Sequence, residues 1–164
     1  RYARGERQGY NKTLRFFKFN ATVIIFVTFA VYAFVLPEAP LIFKPEYWTS
    51  ASNLLKHFLC PLLFVFDWIL FDAHHIVKPH WPFAGLLLPL AYCIVVEARA
   101  GIYAGMCGGT IPEAELGDYF PYFFLNFQTL GIGGLLMWVG ILICVFLALG
   151  FVVYGVDKAG KNRI

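Results

Sequence analysis

The chain has 164 residues and a formal net charge of +3, and 60% of its residues are apolar while only 14% are charged. A soluble domain is closer to half apolar and a quarter charged, so the composition argues against an ordinary soluble enzyme. The basic residues gather at the two ends, where they indicate membrane topology and not a nucleic-acid partner.

Four long apolar runs predict an all-α, polytopic helical membrane protein in which residues 1–164 form a single transmembrane domain. The first run ends at Leu36-Pro37, because the proline-rich segment that follows cannot continue a helix. An acidic and aromatic connection, residues 105–130, separates the third run from the glycine-rich fourth. The predicted transmembrane helices lie at about 16–36, 49–72, 82–104 and 131–156.

The distribution of Lys and Arg predicts the orientation. The amino-terminal flank through Lys18 carries six of them, the connection 73–80 carries Lys78, and residues 105–130 carry none. Basic residues favour the cytoplasmic side, so we expect a multi-pass protein of the cell membrane with both ends of this chain in the cytoplasm. Because the chain begins at Arg1 and lacks a signal-peptide pattern, we interpret it as part of a longer protein.

The second predicted helix carries an unusual set of polar residues. Successive residues of a helix turn by about 100°, so these side chains fall on one side of the helix. Ions in hydrocarbon are costly and usually face a protein interior where they act. Lys56 could instead extend to the interface, and Asp67 could be a buried, hydrogen-bonded packing residue. The polar residues on this side are Asn53, Lys56, His57 and Asp67.

The third predicted helix carries Glu97 and Arg99 in its outer half. The rise per residue places Lys56 or His57 at the depth of Glu97, and Arg99 close to the outer interface. Glu97 and Arg99 could also mark a helix end that reaches the lipid headgroups.

The sequence predicts neither a metal site nor a cofactor. His74, His75 and His80 are clustered, but a metal site needs three or four converging ligands with supporting groups around them. No CxxC pair occurs among the four cysteines, and the common hydrolase, zinc-protease and phosphate-loop motifs are missing.

Three segments, SNLLKHFLCPLLFVFDWILF, LLLPLAYCIVVEARAGIY and DYFPYFFLNFQTLGIGG, resemble bacterial six-helix membrane proteins related to the androgen-induced membrane hydrolases. Members have a histidine before a proline in a helix that ends in Asp-Trp, then a Pro-x-x-Tyr helix that ends in Arg, then a Tyr-Pro-Tyr-Pro-Phe-like loop. The resemblance covers roughly residues 18–155. The counterparts here are His57, Pro61, Asp67-Trp68, Pro89, Tyr92, Arg99 and residues 120–124.

The resemblance implies a six-helix bundle of which this chain supplies four helices. It also implies hydrolysis of esters of fatty acids with hydroxy fatty acids, with His57 as the catalytic histidine and a threonine nucleophile in a helix before Arg1. The expected partners are membrane lipids and a hydrophobic ester substrate. Buried Lys, Asp, Glu and Arg would also suit an alternative, a small-solute or ion transporter, and a packing subunit without chemistry is a further reading.

Overall fold

The computed structural model describes residues 12–35 and 50–160 together with Pro45 and Trp48. The described residues form helices, turns and loops without a β-strand. Four helices are long and apolar enough to cross a membrane, which confirms the predicted all-α polytopic fold. Their bounds are Lys12–Phe34 (α1), Ala51–Phe71 (α2), Trp81–Met106 (α3) and Phe127–Ala159 (α5), with the short helix Leu116–Tyr119 (α4) before the last.

Two buried polar side chains of α1 donate hydrogen bonds to carbonyls of their own helix. The Asn20 amide donates to the carbonyl of Phe16 at 2.8 Å, and the Thr22 hydroxyl donates to the carbonyl of Lys18 at 2.9 Å. These bonds satisfy the two donors locally, whereas the amide oxygen of Asn20 is buried without a hydrogen-bond partner among the described residues. The predicted proline-rich connection after α1 and the basic tail beyond Gly160 lie outside the described residues.

Helix α3 is interrupted in its second turn, where Leu86 separates the segments Trp81–Gly85 and Leu87–Met106. The cause is Pro89, which has no N–H to give to the carbonyl of Gly85. The N–H of Leu86 instead bonds the carbonyl of Phe83, three residues earlier, at 3.2 Å. The helix therefore regains its regular pattern within one turn of the break.

Helix α5 is broken near its start by Gly131, whose backbone has φ 67° and ψ 170°. That conformation is essentially restricted to glycine. The long regular part of α5 therefore begins at about this glycine, where the sequence predicts the fourth helix to begin, and a short helical segment from Phe127 precedes the break.

The chain forms two compact units, residues 1–82 with 146–164 and residues 83–145. The core of the first unit is aromatic: the buried ring of Phe19 lies 6.2 Å from Trp68 and 5.8 Å from Trp81, centroid to centroid. The second unit buries Ile111 and Phe124 of the α3–α5 connection. There the Gln128 side chain bonds both the N–H and the carbonyl of Ile111, at 2.8 and 2.9 Å.

Candidate functional site

His57 lies in a π-helical turn, Leu54–Leu59, inside α2. The turn precedes Pro61, and the N–H of Cys60 bonds the carbonyl of Leu55, five residues earlier, instead of following the α-helical pattern. Such wide turns in α-helices are rare and occur frequently at functional sites. Pro61 is the local cause, because it has no N–H to give to the carbonyl of His57, four residues earlier.

The His57 ring is held against α1 by Tyr32. The two rings are parallel, with centroids 3.7 Å apart and an interplanar angle of 10°. Nδ1 of His57 is buried and has no hydrogen-bond partner among the described residues. A buried polar atom without a partner costs about 1–3 kcal/mol, a cost that native proteins bear mainly where the atom has a role.

Asn53 and Lys56, the other polar residues on the first half of α2, have neither a stacked ring nor a buried polar atom without a partner. Asn53 is half-buried and its backbone N–H lies 3.4 Å from the Ser50 hydroxyl, which caps the start of the helix. Lys56 is exposed on the side of the π turn. Neither residue has a described contact to the His57 ring, and their supporting roles stay predictions.

Asp67 is not the buried packing residue that the sequence allows. Its side chain is 50% exposed, and its Oδ2 lies 2.8 Å from the ammonium of Lys18 on α1. The same ammonium contacts Oδ2 of Asp72, just beyond the end of α2. Asp67 is therefore one of two carboxylates that share a single lysine.

Glu97 and Arg99 belong to the second unit. Both carboxylate oxygens of Glu97 are buried and lack a hydrogen-bond partner among the described residues. The Arg99 guanidinium donates to the carbonyls of Asp118 and Tyr119 and lies 4.9 Å from the centroid of the Tyr119 ring. The predicted approach of Glu97 to Lys56 or His57 stays a prediction, because those residues lie in the first unit.

A second polar feature, which we call the charged cavity, lies within the first unit where α1 begins and α2 ends. It encloses about 290 Å³. Aromatic and aliphatic side chains complete its walls, and its charged lining residues are Arg15, Lys18, Asp67, Asp72 and Asp157.

Asp157, near the end of α5, fastens the connection between α2 and α3. Its carboxylate has no exposed surface and accepts the N–H of Val77 at 3.1 Å and that of Ile76 at 3.4 Å. The N–H of His75 bonds the Asp157 carbonyl at 3.1 Å, and the His75 ring bonds the carbonyl of Gly160 at 2.8 Å. One wall of the charged cavity, formed by Ile76 and Val77, is therefore held by the Asp157 carboxylate.

The sequence singles out Asp67 but misses the partners that the structure gives it. In the sequence Lys18 counts as part of the basic flank, and no role is predicted for Asp72 or Asp157. The spacing of Asp67 and Asp72 on either side of a helix end is a signal for a shared cation, although only the fold identifies that cation as Lys18.

No group of three or more His, Cys, Asp or Glu residues in the described part of the chain is arranged to hold a metal ion. His74 and His75 instead bond backbone carbonyls, those of Ile69 and Gly160.

Comparisons of the chain with protein families, with curated proteins and with solved structures found no significant match. The four apolar helices are those of an integral membrane protein.

Proposed function

We propose that this chain belongs to a membrane-embedded hydrolase of lipid esters in which His57 acts as the general base. The observation that supports the proposal is the site of His57: a π-helical turn, with a buried ring nitrogen that no described residue satisfies. The motif resemblance supplies the reaction class.

The chemistry requires a base beside a hydroxyl nucleophile. In the proposed reaction a threonine hydroxyl, expected from the resemblance in an earlier helix, attacks the ester carbonyl carbon while its proton passes to His57. The ester bond then breaks and the alcohol leaves with that proton. Water, deprotonated by the same imidazole, hydrolyses the acyl-threonine and restores both residues.

Tyr32 supports this role through geometry. A parallel stack at 3.7 Å restricts rotation of the imidazole about its side-chain bonds. A general base must be held within hydrogen-bond reach of the proton that it accepts, so a fixed ring plane favours catalysis.

The test is lipid-ester hydrolysis by the purified full-length protein and its His57→Ala variant. We expect kcat to fall by about 100-fold or more, since general-base catalysis contributes ~10²–10⁴-fold. His80→Ala is the matched control because His80 is exposed on the connection after α2, and it should keep wild-type turnover.

Labelling with a fluorophosphonate probe separates chemistry from folding. Wild-type protein should be labelled, and His57→Ala should be labelled much more slowly while eluting as the same monodisperse species. Wild-type turnover in His57→Ala would contradict the assigned role. Gradient-driven solute uptake into liposomes, with neither labelling nor hydrolysis, would favour the transporter alternative.

A further inference from the structure

We propose that Tyr92, Arg99 and Tyr122, which we call the Arg99 patch, bind the phosphate group of a membrane phospholipid whose chains lie along α3. All three residues belong to the second unit. The inference does not depend on the proposed hydrolase, whose histidine lies in the first unit.

The Arg99 guanidinium is held on one edge and open on the other. Its Nη2 donates to the carbonyls of Asp118 and Tyr119, and the group lies 4.9 Å from the centroid of the Tyr119 ring. A guanidinium has five N–H donors, and the three on Nε and Nη1 have no acceptor among the described residues. A side chain that is already held loses little freedom on binding, and the planar fork of arginine matches phosphate oxygens.

The positive charge of Arg99 is not neutralised within the described part of the chain. No carboxylate there forms an ion pair with it, and Asp118 contributes its backbone carbonyl. Glu115 instead accepts the Tyr103 hydroxyl at 2.6 Å. Glu97 precedes Arg99 by two residues, which turns it by about 200° around α3. An anionic group is therefore the partner that this exposed cation lacks.

Two tyrosine hydroxyls add donors to the same patch. Tyr92 precedes Arg99 by seven residues, about two helical turns, so the two side chains share a face of α3. The Tyr92 hydroxyl lies within electrostatic range of both the Arg99 guanidinium and the Tyr122 hydroxyl. Neither hydroxyl has a hydrogen-bond partner among the described residues, and the two tyrosines are 49% and 37% exposed. A phosphate group has acceptor oxygens for the hydroxyls and for the guanidinium together.

The surface beside the patch suits acyl chains. Leu88 and Val95 lie on the same face of α3 as Arg99, at helical spacing, and are 56% and 65% exposed. Leu88 precedes Arg99 by eleven residues, about 16 Å along the helix, which is close to half the thickness of a hydrocarbon core. A lipid with its phosphate at Arg99 would lay its chains along this apolar stripe.

The depth of Arg99 is compatible with a headgroup phosphate. Helix α3 has 26 residues and is therefore about 39 Å long, against a hydrocarbon core of about 30 Å. Arg99 lies seven residues before the helix ends at Met106, so a centred α3 places its Cα about 5 Å inside the hydrocarbon boundary. A long arginine side chain extends from this depth to the interface.

The experiment is native mass spectrometry of the purified full-length protein titrated with phosphatidylglycerol or with glucosyl diacylglycerol of the same chains. Both headgroups carry hydroxyls, but only the first has a phosphate. Phosphatidylglycerol should bind ~10-fold more tightly, because hydrogen bonds between charged groups are about twice as strong as neutral ones. Arg99→Gln should remove most of that preference. Lys78→Gln, the same loss of one charge at an exposed residue of the first unit, should leave it unchanged.

The double variant Tyr92→Phe with Tyr122→Phe keeps the proposal testable if Arg99→Gln folds poorly. It removes the two hydroxyls and keeps the rings, including the stack of Tyr122 on Phe124 with centroids 5.1 Å apart. This variant should lose ~3–10-fold in phosphatidylglycerol affinity at an unchanged unfolding temperature. Equal binding of the two lipids by wild-type protein, or an unchanged preference in both variants, would overturn the proposal.

Free glycerophosphoglycerol distinguishes the source of the phosphate. We expect it to compete only at concentrations far above those of the lipid, because it lacks chains for the stripe at Leu88 and Val95. Competition at equal concentration would overturn the membrane source and assign the Arg99 patch to a soluble phosphate compound.

Discussion

Replacement of Asp157 by alanine should destabilise the first unit more than any other loss of one carboxylate. The side chain has no exposed surface and satisfies two backbone N–H groups, at 3.1 Å from Val77 and 3.4 Å from Ile76. Stranding a buried donor costs about 1–3 kcal/mol, and the longer bond contributes less, so Asp157→Ala should cost ~2–4 kcal/mol. For a protein of this size that corresponds to a fall of roughly 5–15 °C in Tm.

Thermal unfolding in one detergent provides the assay, and two further variants separate the causes. Asp157→Asn keeps one acceptor oxygen and should lose about half as much stability. Lys158→Met removes the ammonium 3.5 Å from the Asp157 carboxylate, and its side chain is 38% exposed. The ammonium is partly solvated and both backbone N–H groups still satisfy the carboxylate in this variant, so it should lose clearly less stability than Asp157→Ala. If Lys158→Met lost as much stability as Asp157→Ala, the attribution to the backbone N–H groups would be refuted.

Two further predictions concern α5 and the topology. Gly131→Ala should cost ~1–3 kcal/mol in thermal unfolding because its φ of 67° is strained for any residue with a Cβ, although nothing lies within 4 Å of that atom. Gly133→Ala, which has the same open surroundings in regular helix, should be neutral or slightly stabilising, and equal losses would show that backbone strain is not the cause. Single cysteines at 73–80 should react with a cytoplasmic reagent and those at 105–125 with an external one, and the reverse pattern would overturn the predicted orientation.

The sequence predicts the fold well because its main signal is local. A run of about 20 apolar residues predicts a transmembrane helix without any tertiary information, because a helix satisfies its own backbone hydrogen bonds in lipid. The boundary of the fourth helix is instructive. The fourth helix was predicted from 131, and the positive-φ Gly131 does separate the long helix from a short helical segment that starts at Phe127, a segment that the sequence does not predict.

The charged cavity could not be predicted in the same way, because its contacts are distant in sequence. The bonds from Asp157 to the connection after α2 join residues about 80 positions apart. Lys18 illustrates a second cause. A lysine in a basic flank is usually a topology signal, and only the packing of α1 on α2 brings its ammonium to Asp67 and Asp72.

The two polar places on α2 differ in a way that bears on function. Asp67 has a cationic partner, so its position near the end of an apolar helix is accounted for by an ion pair. His57 has a stacked ring but no described partner for Nδ1, in a turn that departs from the α-helical pattern. The ion pair with Lys18 explains a charged residue at position 67 without any catalytic role. The described residues offer no such partner to Nδ1 of His57, and this is why His57, and not Asp67, is the residue to test as the general base. The widened turn is accounted for by Pro61, which has no N–H to give to the carbonyl of His57.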